Sequence, residues 1–275
     1  MLRILSFNIL ASIYSHQDYY PDGLGDLLDI SYRKSKICGY ISKGRYDIIG
    51  LQEVTDEIYQ NIKECLGDSY ISMFYPHNME YWKEWIPNEY SYIPNGNAIF
   101  LKRDNFKLVL WEDISLETGN HAVAAYTQHI ESGNQIRILN IHLEGDDEDQ
   151  RVKEYNDLLN TLKEDAKTID IVLGDFNSGI IDDISKITYE NNFIPDNNKI
   201  HTFSIISSDK TKNPIDHIIY RSPNISKFSI HIDKEIWDLY PFNNNEEDKY
   251  MKERCEECLA RYGSDHIPLM GLLVI

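Results

Sequence analysis

Ile169-Asp170-Ile171-Val172-Leu173-Gly174-Asp175-Phe176-Asn177 reads as a buried strand, Ile169 to Leu173, that delivers a polar tetrapeptide at its end. The same arrangement recurs along the chain. Leu2 to Asn8 ends on Ser6-Phe7-Asn8, Asp47 to Leu51 runs into Gln52-Glu53, and Gln135 to His142 closes on Asn140-Ile141-His142-Leu143. Ile215-Asp216-His217 opens a late strand, and Ser264-Asp265-His266 precedes the last one. Asn, Glu, Asp and His delivered from many strand ends to one rim can hold a hard divalent cation, a water and a phosphate together.

Between these motifs the pattern alternates less regularly than a doubly wound sheet requires. Ser31 to Lys43, Thr55 to Leu66 and Gln150 to Lys163 read as helices, the last from apolar Val152, Tyr155, Leu159 and Leu162. Asn97 to Leu101, Phe106 to Trp111, Ala122 to His129, Ile215 to Tyr220, Phe228 to Ile232 and Leu269 to Ile275 read as strands. The expected fold is therefore an α/β four-layer sandwich: two packed mixed β-sheets flanked by helices, in one domain spanning 1–275. His16 to Ile30 and Tyr75 to Asn95 are aromatic and aperiodic and read as long ordered loops.

Composition limits the partners. Lys and Arg number 27 against 45 Asp and Glu, a net charge of −18, which disfavours a long electrostatic grip on duplex DNA. Glu144 to Glu148 and Glu246 to Glu257 read as solvated acidic surface. The first residues already read as a strand and no apolar run approaches a membrane span, so a cytoplasmic protein without membrane contact is expected. Cys38, Cys65, Cys255 and Cys258 are too few and too scattered for a disulfide framework, and Cys255-x-x-Cys258 lacks a second ligand pair for zinc.

Each motif residue has a chemical use. A strand-end carboxylate such as Glu53 supplies the hard oxygen that Mg²⁺ prefers. Asn8 offers an amide to a metal-bound water or phosphate oxygen, and Asp265 can accept a proton or share the metal. Asp175 and Asn177, two apart, emerge on one face of an extended chain and can position an attacking water. His142 and His266 can donate to a phosphate oxygen, and Asp216 can orient His266 and keep it cationic. In isolation, each is equally a turn-closing or structural hydrogen-bonding residue. His16, His77, His121, His129, His201, His217 and His231 fall outside the motifs and read as structural or solvated.

The order of motifs resembles the endonuclease/exonuclease/phosphatase superfamily, the DNase I-like metal-dependent phosphoesterases, over essentially the whole chain. The resemblance implies Mg²⁺ or Mn²⁺ as cofactor, held by Glu53 with Asn8 and Asp265, Asp175 as general base, a paired Asp216 and His266, and His142 near the leaving side. Ser6-Phe7-Asn8-Ile9-Leu10-Ala11, Tyr20-Pro21, Tyr32-Arg33-Lys34, Leu51-Gln52-Glu53-Val54, Asn95 to Lys102 and Ser264 to Leu269 look like the deadenylase, nocturnin and 2′,5′-phosphodiesterase branch. That branch implies a single-stranded RNA 3′ end or short oligonucleotide as substrate. His142-Leu143-Glu144-Gly145 with Arg151 looks more like 5′-tyrosyl-DNA phosphodiesterases, which keeps a DNA-end or DNA-nicking activity open. The inositol-phosphate 5-phosphatase signature is missing. Expected substrate contacts are the cations Arg33, Lys34, Lys102 and Arg103 and the stacking aromatics Phe176, Phe203 and Trp82.

Overall fold

A computed structural model describes residues 1–78, 93–163, 165, 167–195, 214–222, 227–233, 235–239 and 250–275. In chain order the elements are β1 (Leu2–Asn8), α1 (Gly25–Leu28), α2 (Ile30–Gly44), β2 (Ile48–Thr55), α3 (Asp56–Leu66), β3 (Tyr70–Pro76), β4 (Asn95–Lys102), β5 (Phe106–Ser115) and β6 (His121–His129). They continue with β7 (Gln135–His142), α4 (Glu148–Thr161), β8 (Thr168–Asp175), α5 (Asp182–Glu190), β9 (Asp216–Arg221), β10 (Lys227–Ile232), α6 (Glu235–Leu239), α7 (Met251–Tyr262) and β11 (Leu269–Val274).

The strands form a six-stranded sheet, ordered β10-β11-β1-β2-β4-β3, and a five-stranded sheet, ordered β5-β6-β7-β8-β9. Each sheet is antiparallel except at its centre. There β1 runs parallel to β2 with Asn8 opposite Gln52, and β7 runs parallel to β8 with His142 opposite Asp175. Four central strands consequently end with their polar motifs facing outward from the same end of each sheet.

Apolar side chains of successive residues sort into three layers. In β1, Leu2 and Ile4 enter the core between the sheets with Ile48, Ile138, Ile171 and Leu173, whereas Leu5 and Phe7 face Ile37, Ile41, Ile58, Ile62 and Leu259 of the outer helices. Likewise β8 sends Ile169, Ile171 and Leu173 inward and Val172 outward against Tyr155, Leu158 and Leu159 of α4. A strand covered on both faces needs apolar residues at every position. Hence the central strands read as continuous hydrophobic runs rather than alternating ones.

Helix ends follow local chemistry. Asp29 caps α2 by accepting from the Ser31 N–H at 2.7 Å, and Asp147 caps α4 by accepting from the Gln150 N–H at 3.0 Å. Gly263 ends α7 with φ of +74°, and a Cβ there would lie 2.6 Å from the Arg33 carbonyl oxygen, so only glycine fits. Gly174 is another such position: its φ is +150° and a Cβ would meet the Ile141 carbonyl oxygen at 1.9 Å. That close approach of β8 to β7 sets where Asp175 emerges.

Elements not read from the sequence include α1, β3, α5 and α6, and α1 falls inside His16 to Ile30, which reads from sequence as a loop. β3 is half-buried at most positions and shows no alternation, and α5 is a short helix of nine residues that buries Ile184 and Thr188. Cys255 and Cys258 both lie buried on α7 in the helix-side core, neither in a disulfide. No helix among the described residues is long and apolar enough to cross a membrane.

Candidate active site

The rim is built where the central strands stop. At the end of β2 the ladder to β4 slips between Leu51 and Val54, and Glu53 in this bulge adopts a left-handed φ of +57°. A bulge re-aims a side chain, and a non-glycine residue in that conformation stores strain that the surrounding fold must hold. Leu10, with φ of 59°, and Asn177, with φ of 50°, follow the ends of β1 and β8 in the same unusual region. Backbone strain is thus concentrated beside three of the motifs.

Glu53 is buried, accepting from the Asn8 side-chain amide at 2.7 Å and from the Ala11 N–H at 2.7 Å. The Asn8 amide also donates to Asp175 Oδ2 at 3.0 Å, so one side chain ties the acids of the two sheets together. Behind it, Gln52 donates to Asn140 Oδ1 at 2.6 Å, and the Asn140 amide donates to the carbonyls of Leu51 and Ala98. These hydrogen bonds between buried amides link the two sheets directly under the rim.

Asp175 sits between two imidazoles, with Oδ2 3.8 Å from His142 Nε2 and 3.7 Å from His266 Nε2. Its Oδ1 accepts from the Asn177 N–H at 2.8 Å, while the Asn177 side chain donates to the Leu143 carbonyl. The expected shared face of an extended segment is therefore corrected: β8 stops at Asp175, and an Asx turn, not a strand, presents Asn177.

His266 Nδ1 lies 2.9 Å from Asp216 Oδ2, both buried. Burial pushes the Asp216 carboxyl up to about 7. The His266 imidazole is raised well above its usual range by Asp216, against the opposing effect of burial, and Asp265 and Asp175 add to it. Both shifts mean that the cluster holds a proton more tightly than isolated groups would. Asp265 accepts from the Tyr20 hydroxyl at 3.3 Å, and Ser264 donates to the Asn8 carbonyl at 2.7 Å, tying the two ends of the chain.

A cavity of about 240 Å³ opens beside this cluster, lined by Tyr14, Glu53, His77, Asn95, Asn120 and His142 with the Leu143–Asp146 loop and Asn177. Among the described residues this lining carries carboxylates, amides and imidazoles but neither Lys nor Arg. Burial raises the Glu53 carboxyl above its usual range, Asp265 adding to the effect while His142 and Asn8 oppose it. Buried oxygen donors with excess negative charge fit a hard divalent cation such as Mg²⁺ or Mn²⁺. Asp175, Asp216 and His266 also bring ligand atoms within 4.8 Å of one another, but Nδ1 of His266 is engaged by Asp216, so the acids suit the ion better.

The expected substrate contacts need correction. Arg33 is fully buried and donates to the carbonyls of Leu28, Ile9, Leu10 and Gly263, bracing β1 against the end of α7 instead of reaching solvent. Lys102 ends β4 at the edge remote from Asn95, beside Asp47 at 3.9 Å. Lys34 pairs with Glu57, and Arg103 donates to the Asp68 carbonyl. Phe176 is fully buried against Tyr155 and His217 and offers no stacking face. Phe203, Trp82 and His201 lie outside the described residues. Tyr14, 40% exposed on the cavity wall, was missed, because a lone Tyr in a loop carries no sequence signal.

The model of the Endonuclease/Exonuclease/phosphatase family matches residues 5–266. No curated protein sequence matches the chain. Among solved structures, an endonuclease/exonuclease/phosphatase from Bacteroides vulgatus superposes with a TM-score of 0.68 at 19% identity, covering 100% of this chain and 98% of that one. The human Nocturnin catalytic domain gives 0.64 at 23% identity over 99% and 94%, and D. rerio TDP2 complexed with single strand DNA product gives 0.65 at 19% over 100% and 99%.

Proposed function

The chain belongs to the endonuclease/exonuclease/phosphatase family, and from that premise we propose that it is a divalent-metal-dependent phosphodiesterase acting on nucleic acid. Its substrate is a single-stranded RNA 3′ end or a short oligonucleotide, cleaved as deadenylases or 2′,5′-phosphodiesterases do. The observation that carries this reading is the Asn8 amide joining Glu53 to Asp175 at 2.7 and 3.0 Å, with His142 and His266 flanking the same carboxylate.

Glu53, with Asn8 and Asp265 beside it, would hold a Mg²⁺ or Mn²⁺ ion, which when bound would supply Lewis-acid charge to the phosphate. Asp175 accepts the proton of the attacking water, and the Asn177 turn holds that carboxylate in place through its N–H. His266, cationic beside Asp216, donates from Nε2 to a non-bridging phosphate oxygen as charge builds there. His142, on the cavity wall, faces the leaving oxygen. The water attacks in line with the bond that breaks.

Three features support a short substrate: the net charge of −18, the small cavity and the lack of Lys or Arg in its described lining. The DNA-end alternative drew on Arg151, but that guanidinium donates to the carbonyls of Glu144 and Gly145 at 2.6 Å each and shapes the loop. Turnover of oligo(A) RNA, 2′,5′-oligoadenylate, 5′-tyrosyl DNA and abasic DNA, with Mg²⁺, with Mn²⁺ and with chelator, tests the proposal. Cleavage of the RNA substrates that chelation abolishes is expected. Preference for DNA termini, or turnover in chelator, contradicts it.

The Asp216 and His266 pair gives a pH signature. Because the folded pKa of His266 is raised, its proton is present at neutral pH and is lost as pH rises through that pKa, giving an alkaline limb to kcat/KM. Asp216→Asn removes the anionic partner, lowers the His266 pKa and should move this limb to lower pH. A pH–rate profile in which the variant's limb stays put refutes the pairing.

A further inference from the structure

His77 follows β3 and is 5% exposed, yet it lines the same cavity as Glu53 and His142. Its Nδ1 accepts from the His121 backbone N–H at 3.0 Å. A backbone N–H can only donate, so Nδ1 carries the lone pair and the ring proton of the neutral imidazole sits on Nε2. That Nε2 is buried and makes no hydrogen bond among the described residues. Burying a donor without a partner is destabilising. The cost is recovered when something outside the chain accepts the bond.

The surroundings say what that acceptor is. The His77 ring meets the His142 ring edge-on at 6.2 Å between centroids, and Asn95 and Asn120 share the wall. Burial, His142 and His121 all hold the His77 imidazole well below its usual range, so it keeps one proton and no charge. A neutral donor selects an acceptor without itself adding cationic charge. In a cavity whose described lining lacks Lys and Arg, it is one of the few groups able to receive a phosphate oxygen.

We propose that His77 is a substrate-binding residue that donates its Nε2–H, as a neutral imidazole, to a phosphate oxygen of the bound phosphoester. This assignment rests on the phosphodiesterase reading for its substrate class. From sequence the position reads as structural or solvated, because it falls in no motif. The His121 N–H fixes the ring's tautomer, and the cavity gives the remaining nitrogen its use.

Two variants separate binding from support. His77→Gln places an amide donor near Nε2 but loses the Nδ1 acceptor, whereas His77→Asn keeps an acceptor for His121 and loses the donor. Loss of a hydrogen bond to a charged phosphate should lower kcat/KM about 10- to 100-fold in His77→Asn, with His77→Gln within about threefold of the parent. A purely structural role gives the opposite order and overturns the proposal. The wild-type protein supplies a second test that needs no turnover. In ¹⁵N-histidine spectra with Mg²⁺, His77 should show the Nε2–H tautomer from pH 6 to 9, and its Nε2 signal should shift on saturation with inorganic phosphate. An Nδ1–H tautomer, or no shift, overturns the assignment even if the protein is an active phosphodiesterase. Conversely, absence of phosphodiester turnover beside a phosphate-dependent shift sinks the functional reading and leaves the His77 contact standing.

Discussion

Asp175→Asn should lower kcat by about 10²- to 10⁴-fold while leaving the chain folded, the range expected when a general base loses its proton acceptor. Asparagine has nearly the same shape, so the change isolates the charge. Its oxygen can keep the bond from the Asn177 N–H, now 2.8 Å from Oδ1, but its amide then faces the Asn8 amide that donates to Oδ2 at 3.0 Å. Two opposed donors in a buried site cost about 1–3 kcal/mol. A modest drop in melting temperature with a far larger drop in single-turnover rate is the expected result. Equal losses in both would mean that Asp175 supports the fold and does no chemistry.

Glu53→Gln should reduce activity by about 10²- to 10³-fold and remove the stabilisation that a divalent ion gives. The metal-free protein carries a matching signature. Burial raises the Glu53 pKa above its unfolded value, so the protonated form favours folding, and that contribution is lost as pH rises through the unfolded pKa toward the folded one. In chelator, the wild type should therefore lose stability with rising pH more steeply than Glu53→Gln. Added Mg²⁺ should reverse the ranking by stabilising the wild type alone. Denaturant melts at several pH values, with and without Mg²⁺, measure both effects.

Much of this arrangement was legible from residues alone. β7 was bounded correctly at Gln135 and His142 because its apolar run is bracketed by turn residues, and the two-sheet sandwich followed from strands that outnumber and interrupt the helices. Motif residues of the first, second, seventh and eighth strands proved neighbours because parallel central strands put their ends on one rim. Less legible was anything that depends on where a long side chain turns. Arg33 looked like a rim cation next to Lys34, yet helix α2 points it inward, where four carbonyls need a donor. Phe176 sits inside the most informative tetrapeptide but packs under it, because the Asx turn sets Asn177 on the cavity wall and leaves the ring to α4. His77 lacked any motif, and only the backbone amide of His121, contributed by a distant strand, gives its ring a direction.

Site geometry also depends on strain that composition does not reveal. Glu53 and Asn177 both adopt left-handed backbone, which few non-glycine residues do, and a propensity-based reading assigns neither. The bulge at Glu53 belongs to pairing with β4, a strand from a separate part of the chain. Strand ends could therefore be located in advance, while the turn geometry aiming each carboxylate could not.

The central claim is that Glu53, with Asn8 and Asp265 beside it, would hold a divalent cation at the rim where the acids of the two sheets meet. Titration of metal-free protein with Mn²⁺, followed by the loss of free-ion electron paramagnetic resonance signal, tests it most directly. The expected result is saturable binding by the wild type, competed by Mg²⁺ and weakened at least tenfold in folded Glu53→Gln. Unchanged Mn²⁺ affinity in that variant, or no saturable binding by the wild type, contradicts the account.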